Sequence, residues 1–203
     1  MKRFFYLTIS ISILLFLVIS CSAPARTVTR METDTQTDLS GRWNDTDSRL
    51  VAQEMITDVL SRPWLGDFQN EKGEKPVVII GSIRNKSSEH INTEVFTKDI
   101  EKELINSGKV NFVASKSERT EIREERIDQQ YFSSAETAKQ LANETGADFM
   151  LIGSINSIVD ALEGQKVVYY QVNMELINLE LNTKAWIGDK KIKKLIEQKN
   201  HKW

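Results

Sequence analysis

The side chains able to do chemistry are few, and their spacing argues against most kinds of it. One cysteine and two histidines, Cys21, His90 and His201, occur in 203 residues. Zinc needs several nitrogen or sulfur ligands at close spacing, and neither histidine has a second ligand near it in such a pattern. His90 reads as a solvated loop residue and His201 as part of the tail. Ser82 and Ser154 each follow a glycine, but neither stands in the G-x-S-x-G turn that exposes a nucleophilic hydroxyl. No G-x-x-x-x-G-K-[ST] or G-x-G-x-x-G segment offers a phosphate cradle. Asp and Glu together number 29, and no two of them stand out as an acid and a base. These residues predict no enzyme, no metal and no cofactor.

Cys21 differs because of what precedes it. Met1-Lys2-Arg3 is basic, residues 4–19 are apolar, and the small Ser20 stands just before the thiol. A charged start, a short apolar run and a small residue describe a secretory signal over residues 1–20. The run is short beside the roughly 20 residues a membrane-spanning helix needs. Val18-Ile19-Ser20-Cys21 resembles the lipobox of bacterial lipoproteins. That resemblance implies cleavage between Ser20 and Cys21, a diacylglycerol thioether on Cys21 and a palmitate-type acyl group on the new N-terminus. More than one chain is required, since a single acyl chain anchors only marginally. An ordinary signal peptide, or a membrane anchor with an incidental cysteine, remains the alternative. The next residue is Ser22, not Asp; by resemblance to enterobacterial lipoproteins this implies the outer membrane, facing the periplasm.

Something must carry that anchor and something must hang from it. Cleavage removes Lys2 and Arg3, leaving 25 basic residues against 29 acidic, a net charge of −4. That is no footprint for nucleic acid, which calls for a basic domain. The 40% hydrophobic content supports a packed core. One cysteine forbids an internal disulfide, so the core alone must hold the fold. Residues 21–45 have almost no apolar side chains and read as a flexible tether, unable to offset the entropy of ordering. Stretched, it reaches at most about 80 Å; relaxed, roughly 27 Å. A globular domain is expected over 46–195 and a frayed tail over 196–203.

Within that domain, Asp45 or Asp47 suits the cap of a helix whose stripe is Val51, Met55, Ile56, Val59 and Leu60. Pro63 ends it, and residues 69–75 read as a charged loop. The apolar run after Pro76 predicts a strand covered on both faces. A helix from Asn92 to Ser107 closes on Gly108, and a short strand follows at 110–113. The charged stretch 117–126 reads as a helix with little to bury. Ser133-Ser134-Ala135-Glu136 is a capping box opening another helix. A long strand from Asp148 leads through a turn at Glu163-Gly164 into one that alternates cleanly from Val168 to Leu176, hence antiparallel with one wet face. A last strand is expected over 185–192. Ile80-Gly81-Ser82-Ile83 recurs as Ile152-Gly153-Ser154-Ile155, read as shared strand-end chemistry rather than duplication. The order implies an α/β fold: a mixed sheet with packed helices in a single domain.

These residues together carry a family resemblance. Gly41-Arg42-Trp43-Asn44-Asp45-Thr46-Asp47-Ser48-Arg49, Pro63-Trp64, Lys75-Pro76-Val77-Val78-Ile79, Asn85 with Glu89-His90-Ile91, Ser107-Gly108, Gly146-Ala147-Asp148 and Trp186-Ile187-Gly188 resemble the LpoB family of penicillin-binding protein activators. The resemblance covers about residues 41–195. It implies a domain similar to the N-terminal domain of TolB, and a non-enzymatic regulator of peptidoglycan synthesis and cell shape. By the same resemblance the partner is a class A penicillin-binding protein, a bifunctional synthase whose polymerising and crosslinking activities it stimulates. The alternative is an envelope assembly or structural lipoprotein, favoured by the short tether. The motif residues Trp43, Asn44, Asp45, Asp47, Arg49, Trp64, Asn85 and His90 are candidates for either partner contact or structure.

Overall fold

The fold starts at a reciprocal cap. In the computed structural model, which describes residues 27–114, 118–125 and 146–197, the Asn44 side chain accepts from the Asp47 N–H at 3.0 Å. The Asp47 carboxylate accepts from the Asn44 N–H at 3.0 Å. The cap is therefore Asn44, not Asp45 or Asp47. Asn44 alone has the extended backbone of a cap, and Asp47 supplies the return bond from the third helical position. Helix α1 (Asp45–Leu60) then buries Val51, Met55, Ile56, Val59 and Leu60 as its spacing predicts.

Pro63 both ends α1 and begins α2 (Pro63–Lys72), in the first turn where its missing donor costs nothing. This helix replaces most of the loop expected at 69–75. Trp64, Leu65 and Phe68 give it a buried side, and Gly73, at φ 73°, closes it. Then come β1 (Val77–Lys86), α3 (Thr93–Asn106), β2 (Asn111–Phe112), β3 (Phe149–Leu162), β4 (Gln165–Asn178) and β5 (Thr183–Glu197). Helix α3 is capped by Asn92 and followed by Gly108 at φ 64°; it buries Phe96, Ile100 and Leu104, while Val95 and Ile105 are exposed. Residues 118–125 are helical, as read from their charge pattern. The helix expected from Ser133, the signal segment and Cys21 lie outside the described residues.

The strands form one mixed sheet in the order β2-β1-β3-β4-β5. β1 is parallel to β2 and β3, and β3-β4-β5 is an antiparallel meander. β5 runs past the expected end at Ile192 to Glu197, pairing with β4 as far as Gln165. β1 is not covered equally on both faces: Val78 and Ile83 are buried, while its other residues are half-buried or exposed. The Ile-Gly-Ser-Ile repeats lie on adjacent parallel strands. The register shifts between Ile80 and Ile83, and a Cβ on Gly81 would press against Ile152 and Met150.

The core sits between one face of this sheet and the helices. Val78, Leu151, Ile155, Tyr170, Val172, Met174, Leu176 and Trp186 meet the apolar sides of α1, α2 and α3 there. The chain divides into two compact units, Met1–Thr35 and Gln36–Trp203. In the described part of the first, the Thr35 N–H closes a turn on the Glu32 carbonyl at 3.2 Å. In the second, Gln36 begins the ordered approach to α1.

Candidate interaction site

Four of the eight motif candidates, with two residues flagged beside them, belong to one connected structure. Trp43 lies edge-on to Phe96 at 6.0 Å and to Tyr170 at 5.6 Å. Its indole N–H donates to Ser48 Oγ at 2.9 Å, and its backbone N–H donates to Glu89 Oε2 at 3.2 Å. The Asn85 side chain donates to the Glu89 carbonyl at 2.7 Å. Asn44 reaches back to the Thr37 carbonyl at 3.2 Å and to Asp38 at 2.8 Å. Lys194, from β5, bridges Asp38 and Asp47, each at 2.6 Å, and donates to the Arg42 carbonyl at 3.2 Å. Thus Thr37–Asn44, the last part of the expected tether, is bonded into the domain.

The electrostatics follow from this geometry. Burial raises the Asp47 pKa, opposed by hydrogen bonds from Lys194 and the Asn44 backbone. The Lys194 hydrogen bond lowers that of the more exposed Asp38. Burial works against the charge on Lys194, yet the two carboxylates prevail and raise its pKa. Tyr170 is fully buried, and its hydroxyl finds no well-formed hydrogen bond. Burial, then the neighbouring Glu89 carboxylate, push that phenol well above its usual range.

The remaining motif residues are also mostly structural. Trp64 packs edge-on against Phe149 at 4.9 Å and donates to the Val59 carbonyl at 2.6 Å. Asp148 accepts the Val77 N–H at 2.8 Å and so fixes the start of β1 against β3. Gly41, at φ 67°, lies under Ile196, and a Cβ on Gly188 would collide with the Trp186 ring. The Trp186 indole donates to Asp58 at 2.8 Å. Asp45 is exposed in the first turn of α1, where its charge favours the helix N-terminus. Arg49 is half-buried, and His90 is exposed in the loop after β1.

A groove of about 1110 Å³ runs between α1 and β5. Its charges are largely consumed by bonds across it: Lys190 with Glu54, and Lys194 with Asp38 and Asp47. Lys194 lies beyond the last strand expected over 185–192, so nothing in that expectation placed it at α1. The signal was there in the alternation Ile192, Lys194, Ile196, which continues the inward face of β5. A lysine stem can bury itself along apolar surface while its ammonium reaches a carboxylate. Tyr170 gave no local signal, and the Glu89 motif did not show its carboxylate's bond to Trp43, 46 residues away. Among the described residues no three His, Cys, Asp or Glu side chains converge as a metal site requires.

The model of one protein family, described as "Peptidoglycan-synthase activator LpoB", matches residues 47–192. No curated protein sequence matches significantly. Among solved structures, the LpoB C-terminal domain from Escherichia coli is similar over 72% of this chain and 98% of its own, at 17% identity and a TM-score of 0.45. The NMR structure of E. coli LpoB is similar over 88% of both chains, at 17% identity and a TM-score of 0.41. Lipoprotein GNA1162 from Neisseria meningitidis is similar over 59% of this chain and 83% of its own, at 13% identity and a TM-score of 0.38.

Proposed function

Because the chain belongs to the LpoB family of peptidoglycan-synthase activators, we propose that it regulates peptidoglycan synthesis by binding a class A penicillin-binding protein and stimulating it. The family match over residues 47–192 carries this reading. It acts by contact and not by catalysis. Among the described groups with altered ionisation, Asp38, Asp47 and Lys194 form one ion-paired cluster that joins the N-terminal approach and α1 to β5. Cys21 is the proposed lipid attachment point, after cleavage behind Ser20, and the outer membrane facing the periplasm is the proposed location. A likeness to the TolB N-terminal domain belongs to the same proposal.

The test is reconstitution. The purified lipidated chain, added to a class A synthase and lipid-linked disaccharide substrate, raises glycan polymerisation and crosslinking. No rise with any class A synthase of the same cell overturns the reading. Cys21→Ser releases the chain from membranes; a variant that stays in the membrane pellet and keeps its fatty acid overturns the anchor.

One observation favours the alternative of an envelope assembly lipoprotein. Because Thr37–Asn44 is bonded into the domain, only the 15 residues 22–36 separate Cys21 from it, a reach of at most roughly 50–55 Å. Under that reading the chain holds a nearby envelope complex and leaves synthase activity unchanged.

A further inference from the structure

The outer face of the sheet, turned away from α1 and α3, is where the fold leaves groups unused. Cross-strand pairing puts Arg84, Ser154, Asn173 and Asp189 in one row and Lys86, Asn156, Gln171 and Lys191 in the next. Ile158, Tyr169 and Lys193 make a third. In-register partners share a face, and a row of four strands is roughly 14 Å wide. The middle is a layer of amides and hydroxyls fixed to one another. Gln171 donates to Asn173 at 3.0 Å, and Asn156 to Ser154 at 3.3 Å.

The flanks carry most of the charge. Arg84, Lys86, Lys184, Lys191 and Lys193 stand against Glu175, Asp189, Asp160 and Glu197, a small cationic excess in a chain whose overall charge is −2. Lys184 takes Glu175 at 2.7 Å and Lys191 takes Asp189 at 3.1 Å. Arg84, Lys86 and Lys193 are exposed and make no hydrogen bond or ion pair with other described residues. Ile158, Ile187 and Leu195, on the same face, are 67%, 65% and 62% exposed. A shallow pocket of about 210 Å³ opens beside Arg84, Lys86 and Asn173.

We propose that this face is a docking surface for a folded protein domain that presents carboxylates. Unpartnered cations on both flanks attract and orient such a domain. The ordered amides supply hydrogen bonds of fixed geometry, and the isolated branched side chains supply apolar contact inside a polar surround. An anionic bilayer fits less well, because membrane recognition by charge takes a cluster of roughly 4–8 basic residues. A second copy would bring like charges together. The inference rests on the reading above, and under it the domain belongs to the synthase.

The test uses the full lipidated chain in detergent, with a photo-crosslinking residue at Tyr169 on this face or at Leu50 on the helix side. A second preparation carries Arg84→Glu, Lys86→Glu and Lys193→Glu together, with Lys109→Glu as a charge control away from the face and circular dichroism as the folding check. Tyr169 crosslinks to the synthase. The folded triple variant binds at least about tenfold more weakly and loses most of the salt dependence of association, while the control does neither. Crosslinking from Leu50 alone, with stimulation intact in the triple variant, overturns the surface and leaves the function standing. Crosslinks from Tyr169 into lipid or a second copy also overturn it. A wild-type chain that neither stimulates nor crosslinks to the synthase overturns both.

Discussion

The two faces of one sheet use the same kinds of residue for different ends. On the helix side, polar groups are interlocked. Lys194 spans Asp38 and Asp47, Asn44 and Asp47 cap each other, and Trp43 closes over Tyr170 and Phe96. On the outer side, Arg84, Lys86 and Lys193 have no partner among the described residues, and the amides bond to near neighbours. The residues most diagnostic of the family are concentrated on the first face. They are spent on holding the N-terminal approach, α1 and β5 together, so the strongest sequence signature marks scaffold.

Substitutions that separate the faces test this division. The largest expected effect is from Trp43→Ala, which removes the ring between Phe96 and Tyr170. It should cost about 3–5 kcal/mol in chemical denaturation, with stimulation unchanged wherever the variant is folded. Lys194→Met should cost about 3 kcal/mol, because it leaves the buried Asp47 carboxylate without its cation. Adding Asp47→Asn to it should restore part of the loss, and a double-mutant cycle measures how much.

The same ion pair sets a pH dependence. The Lys194 pKa is raised on folding, so its contribution is fully present below the unfolded value near 10.5 and is lost as pH rises through the folded value. Tyr170, also raised, acts in the same direction above its ordinary value of 10.0. Stability measured from pH 9 to 12 should therefore fall, and fall less steeply in Lys194→Met and in Tyr170→Phe. Asn44→Ala, which removes one helix cap, should cost about 1 kcal/mol. The smallest effect on stability is expected on the outer face. Gln171→Ala and Tyr169→Ala should each stay within about 0.5 kcal/mol of the parent in thermal unfolding, yet weaken synthase binding. If Tyr169→Ala proved as destabilising as Trp43→Ala, the contrast between the faces would collapse.

Much of the fold is legible in the sequence. Val51 to Leu60 and Phe96 to Leu104 repeat at helical spacing, and Val168 to Leu176 alternates; each pattern reports one buried side. The mixed sheet followed from the order of those elements. Helix α2 is hidden in the sequence because Pro63 signals a stop as well as a start: proline ends one helix and suits the first turn of the next. The end of β5 escaped because five lysines between Thr183 and Glu197 hid its alternation. Less of the candidate site was readable. The motif residues could be named, but whether Trp43 anchors a partner or a core depends on Phe96 and Tyr170, which are distant in the chain.

By itself the sequence determined what local rules govern: the small residue before Cys21, the apolar periods, the absence of catalytic spacing and the family motifs. Each is set by neighbours within a few residues. The tertiary structure alone decided which charges are neutralised. Asp38 and Lys194 are 156 residues apart, and only the path of β5 beside α1 brings them together. The same pairing leaves Arg84, Lys86 and Lys193 facing solvent on the other side of the sheet, because a strand turns alternate side chains to opposite faces and only one of those faces meets these helices.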